Sequence, residues 1–493
     1  MKAKAKIKLL MKAKMKAKRE GNMDYTKIDA YIDAHTDELI ADIGTLVSFD
    51  SERRDPEEGA PFGREAANCL SAALKIAERT GFTAKNYDNY VVTADFDPAL
   101  EPGLDILSHL DVVPAGTGWT KTEPFKMFVE GDKIYGRGTT DDKGPGLAAL
   151  YAMRAVKECG VPLAKNVRLI LGSDEECGSS DLDYYFAKEK SAPMSVSPDA
   201  NYPVINIEKG GVHAGFKSDA KIADTIPRII SINAGVKINV VPDTAEAVIE
   251  GLTPEEAESV ARDLGIEGCR FTFKREGTTL RITAKGKTAH ASTPETGVNA
   301  LTALLALLSR MPLSDSELHR QIQSAAILFP HGDFNGHALG VDLSDETSGK
   351  TTLTLDILNY SESEGLNGMY DCRACLSAND SNTLDVINKK LRSAGLEPFG
   401  GPMFEAHSVP ADSPLVKTLL GIWKDMTGED AEPLCIGGGT YVHHIENGVA
   451  FGPEMPGLDN FIHAADEFIT RDQLVFTCKA YARAIVELCG QTK

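Results

Sequence analysis

The chain has 493 residues, too many for one hydrophobic core, so about two or three domains are expected. Its formal net charge of -20 at pH 7 argues against nucleic acid and anionic membrane surfaces as partners. Hydrophobic content of 42% and charged content of 25% are ordinary for a soluble globular protein, and no stretch reaches the roughly 20 apolar residues of a membrane span.

The first 22 residues differ in character from the rest. MKAKAKIKLLMKAKMKAKREGN is almost entirely Lys, Ala and Met with a little Leu, and it lacks the long apolar core and small-residue cleavage site of a secretory signal. A basic amphipathic helix for membrane surfaces or nucleic acid is one reading. The other is an untranslated ribosome-binding region. Lys, Arg, Glu, Gly and Asn can all be encoded by purine-only or adenine-rich codons, and Arg19-Glu20-Gly21-Asn22 stands immediately before Met23. The expectation is a native chain that begins at or just after Met23; an intact mass that includes Met1 would refute it.

From Tyr25 to Val47 the apolar residues recur at helical spacing (Ile28, Ile32, Leu39, Ile40, Ile43, Leu46, Val47). A second helix over Arg64–Thr80 is closed by Gly81. Strand-like runs follow at Asn89–Ala94, Leu104–Ser108 and Val167–Gly172, with a helical stretch over Gly144–Glu158. This alternation predicts an α/β fold, a mixed and largely parallel sheet flanked by helices. The middle of the chain reads differently. Val236–Val241, Ala245–Glu250, Arg270–Lys274 and Thr279–Lys285 read as short strands, with helices over Pro254–Leu264 and Gly297–Leu308. Strands over Thr351–Tyr360 and Gly368–Leu376 and a helix over Asn382–Ser393 echo that arrangement. After about Phe404 come helix, glycine-rich loop and a closing helix over Asp472–Leu488. The simplest architecture is a discontinuous α/β domain, residues 24–207 and 404–493, carrying an inserted α+β domain, residues 208–403.

Nine cysteines are scattered without disulfide-like spacing, which suits a reducing compartment and a cytoplasmic location. Cys372 and Cys375 form a C-x-x-C within a strand-like segment. Residues three apart on a strand point to opposite faces, so two buried structural thiols are expected rather than a shared metal or disulfide.

Chemistry concentrates in a few segments that follow apolar runs. In Leu104-Asp-Ile-Leu-Ser-His109-Leu-Asp111, a histidine ends a strand and a carboxylate follows on the same side, a spacing that suits a metal-bound imidazole with an orienting partner. In Gly136-Arg-Gly-Thr-Thr-Asp141-Asp142-Lys143-Gly144-Pro145, glycines allow close backbone approach and an aspartate heads a helix, where it is equally a cap. Ser173-Asp174-Glu175-Glu176 puts three acids directly after a buried strand, tolerable if a cation sits among them. Asp199, the segment Glu208-Lys209-Gly210 and Phe461-Ile-His463-Ala-Ala-Asp466-Glu467 complete the series.

In this order the segments resemble the M20 family of metallopeptidases, from about Tyr25 to Leu488. Within it they look most like the PepV-type dipeptidases of Xaa-His or β-Ala-Xaa type. Ala60-Pro-Phe-Gly63, His109-Leu-Asp-Val-Val-Pro114 with Gly118-Trp119, Thr139-Thr-Asp-Asp-Lys-Gly-Pro145, Pro198-Asp199, Glu208-Lys-Gly210 and Gly437-Gly-Gly-Thr-Tyr441 carry the likeness. The resemblance implies a catalytic domain and an inserted lid domain. It also implies two divalent metal ions bridged by Asp141, one completed by His109 and Asp199, the other by Glu176 and His463. Asp111 would orient His109, and Glu175 would be the general base. Ligands without thiolates suit Zn, Mn or Co. His290 is similar to a histidine that steadies the developing oxyanion, Asn239 to its polar companion, and Arg373 to an arginine that clamps the substrate carboxylate. The other reading of Arg373 is a strand arginine paired with Asp371. Gly437, Gly438, Gly439 and Thr440 would offer backbone groups to the substrate. His443 and His444 read as structural, and no role falls to His35, His213, His319, His331, His337 or His407.

The activity implied is hydrolysis of unblocked dipeptides by a monomeric enzyme with no nucleic-acid or membrane partner. An M20-type deacylase or desuccinylase acting on N-acyl amino acids is the alternative. A relative that has lost turnover is a third reading, opposed by the intact Glu175 and ligand set.

Overall fold

In the computed structural model of the protein, residues 24–491 are described; the basic head, residues 1–22, lies outside them. The chain divides into two compact units, residues 24–207, 408–434 and 439–491 in one, Glu208–His407 and Cys435–Gly438 in the other.

The first unit is built on a mixed sheet. Its strands run in the order Thr83–Tyr87, Val91–Asp95, Asn166–Gly172, Pro102–His109, Ser195–Ser197, Gly448–Ala450 and Ile205–Glu208. The four from Asn166–Gly172 to Gly448–Ala450 are mutually parallel, and antiparallel strands flank them on both sides. The expected mixed, largely parallel layer is present. These central strands are buried on both faces and read as continuous apolar runs, as parallel strands covered by helices do.

Helix Lys143–Glu158 lies against the sheet and packs on helices Thr26–Val47 and Arg471–Cys489. It is buried nearly all round, from Leu147 through Val156. Gly146 permits the approach, because a Cβ there would stand 2.2 Å from Ser108 Oγ on the strand below. That contact fixes the start of the helix beside the end of strand Pro102–His109. The closing helix is started by a capping box between Thr470 and Gln473.

The second unit is an antiparallel sheet with helices. Its strand order is Arg270–Glu276, Thr279–Lys285, Thr244–Glu250, Arg228–Ala234, Thr352–Ser361, Gly365–Ala374, Gly210–Ser218 and Glu397–Gly400. Strand Thr244–Glu250 alternates buried and half-buried residues, the pattern of a sheet with one covered face. Its core includes Leu301, Leu304, Leu305 and Leu308 of helix Ala300–Arg310 against Ile249, Leu280 and Ile282, each such side chain worth about 1.5–3 kcal/mol when buried.

Two expectations are corrected. The strand expected over Val236–Val241 is displaced to Arg228–Ala234, and only Val240–Val241 remains extended, paired with Ala289–His290. The chain leaves the sheet at Gly235, whose φ of +77° and close approach to the Asp356 carbonyl admit no side chain, and Val236 is 96% exposed. Helix Glu317–Leu328 was not foreseen; Ser316 caps it, and Leu318, Ile322 and Ala325 form its buried stripe. Cys372 and Cys375 are both buried and free, as expected. Among the described residues, no helix is long and apolar enough to cross a membrane.

Candidate metal centre and substrate-binding residues

In an open α/β sheet, ligands gather in the crevice outside the carboxyl ends of the parallel strands, and the candidate residues lie there. His109 is the last residue of its strand. Glu175 and Glu176 form a short 3-10 turn after strand Asn166–Gly172, and Asp199 follows Ser195–Ser197. Asp141 precedes helix Lys143–Glu158, and His463 stands in the loop before strand Phe468–Thr470.

Asp141 is central. One of its oxygens is 3.0 Å from His109 Nε2 and the other 2.9 Å from His463 Nε2. Asp199 Oδ2 lies 3.5 Å from His109 Nε2, and Glu176 Oε1 lies 3.2 Å from His463 Nε2. The ligand atoms of His109, Asp141 and Glu176 converge, as do those of His109, Glu175 and Asp199. All five expected metal ligands and Glu175 are thus brought together within one unit. His443 and His444 belong to neither group.

The arrangement suits cations and little else. His109 Nε2 and Glu176 Oε1 are buried and make no hydrogen bond, although charged neighbours stand close. Burial pushes the Glu175 carboxyl well above the usual range, with Asp199 and Glu176 adding to the effect and His109 opposing it. Burial and then Asp141 push Asp199 up to about 7. Burial opposes the charge of His463, but Asp141 and Glu176 outweigh it and raise the imidazole to about 11. Carboxylates crowded this way ionise together only when positive charge is set among them. Imidazole and carboxylate donors without thiolate fit Zn, Mn or Co.

Further residues shape the centre. His109 Nδ1 donates to the backbone carbonyl of Asp111 at 3.0 Å, with the Asp111 carboxylate 3.5 Å away. That carboxylate itself accepts the backbone N–H groups of Glu175 and Glu176 at 3.2 and 3.0 Å. Asp111 therefore couples His109 to the acidic turn. Glu467, unassigned by sequence reasoning, is fully buried and accepts from the backbone N–H groups of Gly138, Thr140 and Asp141 and from Arg137 Nη1 at 2.8 Å. Asp466 beside it accepts from Thr120 and Lys121. The available signals were the arginine inside the Gly136–Gly138 turn and an acid shortly after His463.

The expected substrate-binding residues gather mainly in the second unit. His290 pairs with Val240, and the Asn239 carbonyl accepts from Ala291 N–H at 2.9 Å. Ser292 N–H donates to His290 Nδ1 at 3.1 Å, which places the imidazole proton on Nε2 in the neutral ring. Asn239 Oδ1 is buried without a hydrogen bond. Arg373 presents its Nε–Nη2 edge to Asp371 at 2.8 and 2.9 Å, and its Nη1 donates to the Gly437 carbonyl at 3.0 Å. The pairing with Asp371 therefore exists, and Nη2 also stands 3.3 Å from His213 Nε2, which leaves chiefly Nη1 for an incoming carboxylate. A Cβ on Gly438 would meet nothing within 4 Å. Gly439 and Thr440 lie in the first unit, where Thr440 caps the turn Tyr441–His444.

Residues 106–487 match the profile of Peptidase family M20/M25/M40. The chain is 36% identical over 438 residues, 87% of its length and 92% of the relative's, to YtjP of Bacillus subtilis (strain 168), a protein provisionally named a dipeptidase. It is 32% identical over 465 residues to the Beta-Ala-Xaa dipeptidase of Lactobacillus delbrueckii subsp. lactis, covering 92% of this chain and 97% of that one. The fold is shared with human carnosine dipeptidase 1, with a TM-score of 0.59, 18% identity and coverage of 94% of this chain and 98% of that one. This chain belongs to peptidase family M20/M25/M40.

Proposed function

We propose that the protein is a metal-dependent dipeptidase that hydrolyses the peptide bond of unblocked dipeptides. One observation carries this reading: Asp141 turns its two oxygens towards two different imidazoles, His109 and His463, at 3.0 and 2.9 Å. That is the disposition of a bridging ligand, and the names of the two similar bacterial proteins support the substrate class.

Asp141, His109 and Asp199 would hold one divalent ion and Asp141, Glu176 and His463 a second. Bound there, such ions acidify a water and polarise the scissile carbonyl. The remaining work falls to the chain. Glu175, held by Asp111 through its backbone, takes a proton from the attacking water and passes it to the leaving nitrogen. The second unit acts as the substrate-binding lid in this reading. His290, with its proton on Nε2, donates to the developing oxyanion beside Asn239. The Nη end of Arg373 meets the C-terminal carboxylate, oriented by Asp371 and the Gly437 carbonyl.

The test is to strip metals with a chelator, restore Zn, Mn or Co in turn, and assay free dipeptides beside N-acetyl amino acids and tripeptides. Metal-dependent release from dipeptides alone is expected. Undiminished turnover in the chelated protein, or preferential cleavage of acyl amino acids, would refute the reading.

A further inference from the structure

Each of the four central parallel strands delivers chemistry at its carboxyl end. Three deliver His109 with Asp111, the Glu175–Glu176 pair, and Asp199. The fourth, Gly448–Ala450, runs on to Glu454. Residues Pro453–Glu454 pair in parallel with Ala200–Asn201, immediately after Asp199. Two backbone hydrogen bonds of 2.8 Å, Ala200 N–H to the Gly452 carbonyl and Tyr202 N–H to the Glu454 carbonyl, lock the two segments together. The chain then continues to His463. Glu454 thus stands on the segment that joins two metal-ligand positions.

Its carboxylate belongs to neither group of converging ligand atoms. It is half-buried, and among the described residues it makes no hydrogen bond or ion pair. Burial raises its pKa to about 7, with Asp141 and Asp459 adding to the rise and His463 opposing it. A half-buried carboxylate with no protein partner, its oxygens still reached by solvent, is open to an incoming cation. The neighbouring acids are otherwise engaged. Asp111 and Glu467 hold backbone N–H groups, Glu175 is reserved for proton transfer, and Asp142 is fully buried.

A free dipeptide brings the missing cation. Its α-ammonium nitrogen is two bonds, about 2.5 Å, from the scissile carbonyl carbon, so a substrate seated on the centre must place that charge at the centre's rim. We infer that Glu454 receives the α-ammonium group of the substrate and selects unblocked dipeptides over N-acylated compounds. This rests on the dipeptidase reading and supplies its specificity.

The experiment compares wild type, Glu454→Gln and Glu454→Asp, each reconstituted with the same metal and checked for metal content by mass spectrometry. Kinetics are measured on alanyl-leucine and on propionyl-leucine, which lacks only the ammonium group. Calorimetry follows the binding of free L-alanine. In Glu454→Gln the kcat/KM preference for the free dipeptide should shrink about ten- to a hundredfold, with the loss falling on KM, and alanine binding should weaken in parallel. Glu454→Asp should recover part of both. An unchanged preference in Glu454→Gln, with wild type cleaving dipeptides normally, overturns the assignment and leaves the dipeptidase reading intact. Loss of metal from Glu454→Gln also overturns it, by making Glu454 a ligand. A wild type that ignores free dipeptides removes the underlying reading and this one with it.

Discussion

Glu175→Gln is expected to lower kcat on a free dipeptide by about a hundred- to ten-thousandfold, with KM changed little and the metal content unchanged. The substitution keeps the size of the side chain and removes only its ability to carry a proton. Its backbone N–H still donates to Asp111, so the acidic turn and Glu176 stay in place. Steady-state kinetics and metal analysis on the same preparation check the claim. The carboxylate of Glu175 also converges with His109 and Asp199. Loss of one metal equivalent in Glu175→Gln would therefore reassign it from base to ligand.

Glu467→Ala is expected to cost about 3–5 kcal/mol of stability and to weaken metal binding sharply, although Glu467 is not itself one of the candidate ligands. The carboxylate is fully buried and gathers three backbone N–H groups of the Gly136–Asp141 turn together with Arg137. Its removal leaves those donors unsatisfied and a buried guanidinium without its counter-charge. Asp141 is the last residue of that turn, so its orientation is lost as well. Urea unfolding with and without metal, and titration of metal into the stripped protein, measure the two effects. A variant within 1 kcal/mol of wild type that keeps full metal affinity would show that the turn is held by other means. The double change Arg137→Met with Glu467→Ala should be less damaging than Glu467→Ala alone, because no charge is then buried unpaired.

That the candidate residues would gather was legible because each is announced by its own short segment. An apolar run ending in His109, or in Asp174-Glu175-Glu176, states locally that a buried strand opens onto polar chemistry. Helices with a regular apolar stripe, such as Thr26–Val47 and Arg64–Arg79, were equally plain. Contacts between distant segments were not. The arginine of the Gly136–Gly138 turn and the acid after His463 are each visible, but only the fold joins Arg137 to Glu467, and nothing around Glu454 indicates a strand pairing with Ala200–Asn201. Apolar composition misled at Val236–Val241, where the constraint at Gly235 and the φ of +74° at Asn239 bend the chain away from the sheet. Arg373 shows a third case. Its residue type suited a carboxylate clamp, whereas the register that sets Asp371 and Gly437 around it could be seen only in three dimensions.

The clasp formed by Glu467 also orders events during synthesis. The turn it holds lies 329 residues upstream at Gly138, and strand Gly448–Ala450 takes its place between Ser195–Ser197 and Ile205–Glu208. A ribosome therefore releases the whole of Glu208–His407 before the first unit can close its sheet. That contiguous stretch can condense while it waits, as domains do during translation, but the earlier segment must remain an open sheet with an unpaired edge. Such an edge invites association with other chains until the C-terminal segment arrives to cover it. His463 and Glu467 emerge last, so a chain truncated before them carries most of the candidate residues yet lacks the clasp that holds the Gly136–Asp141 turn.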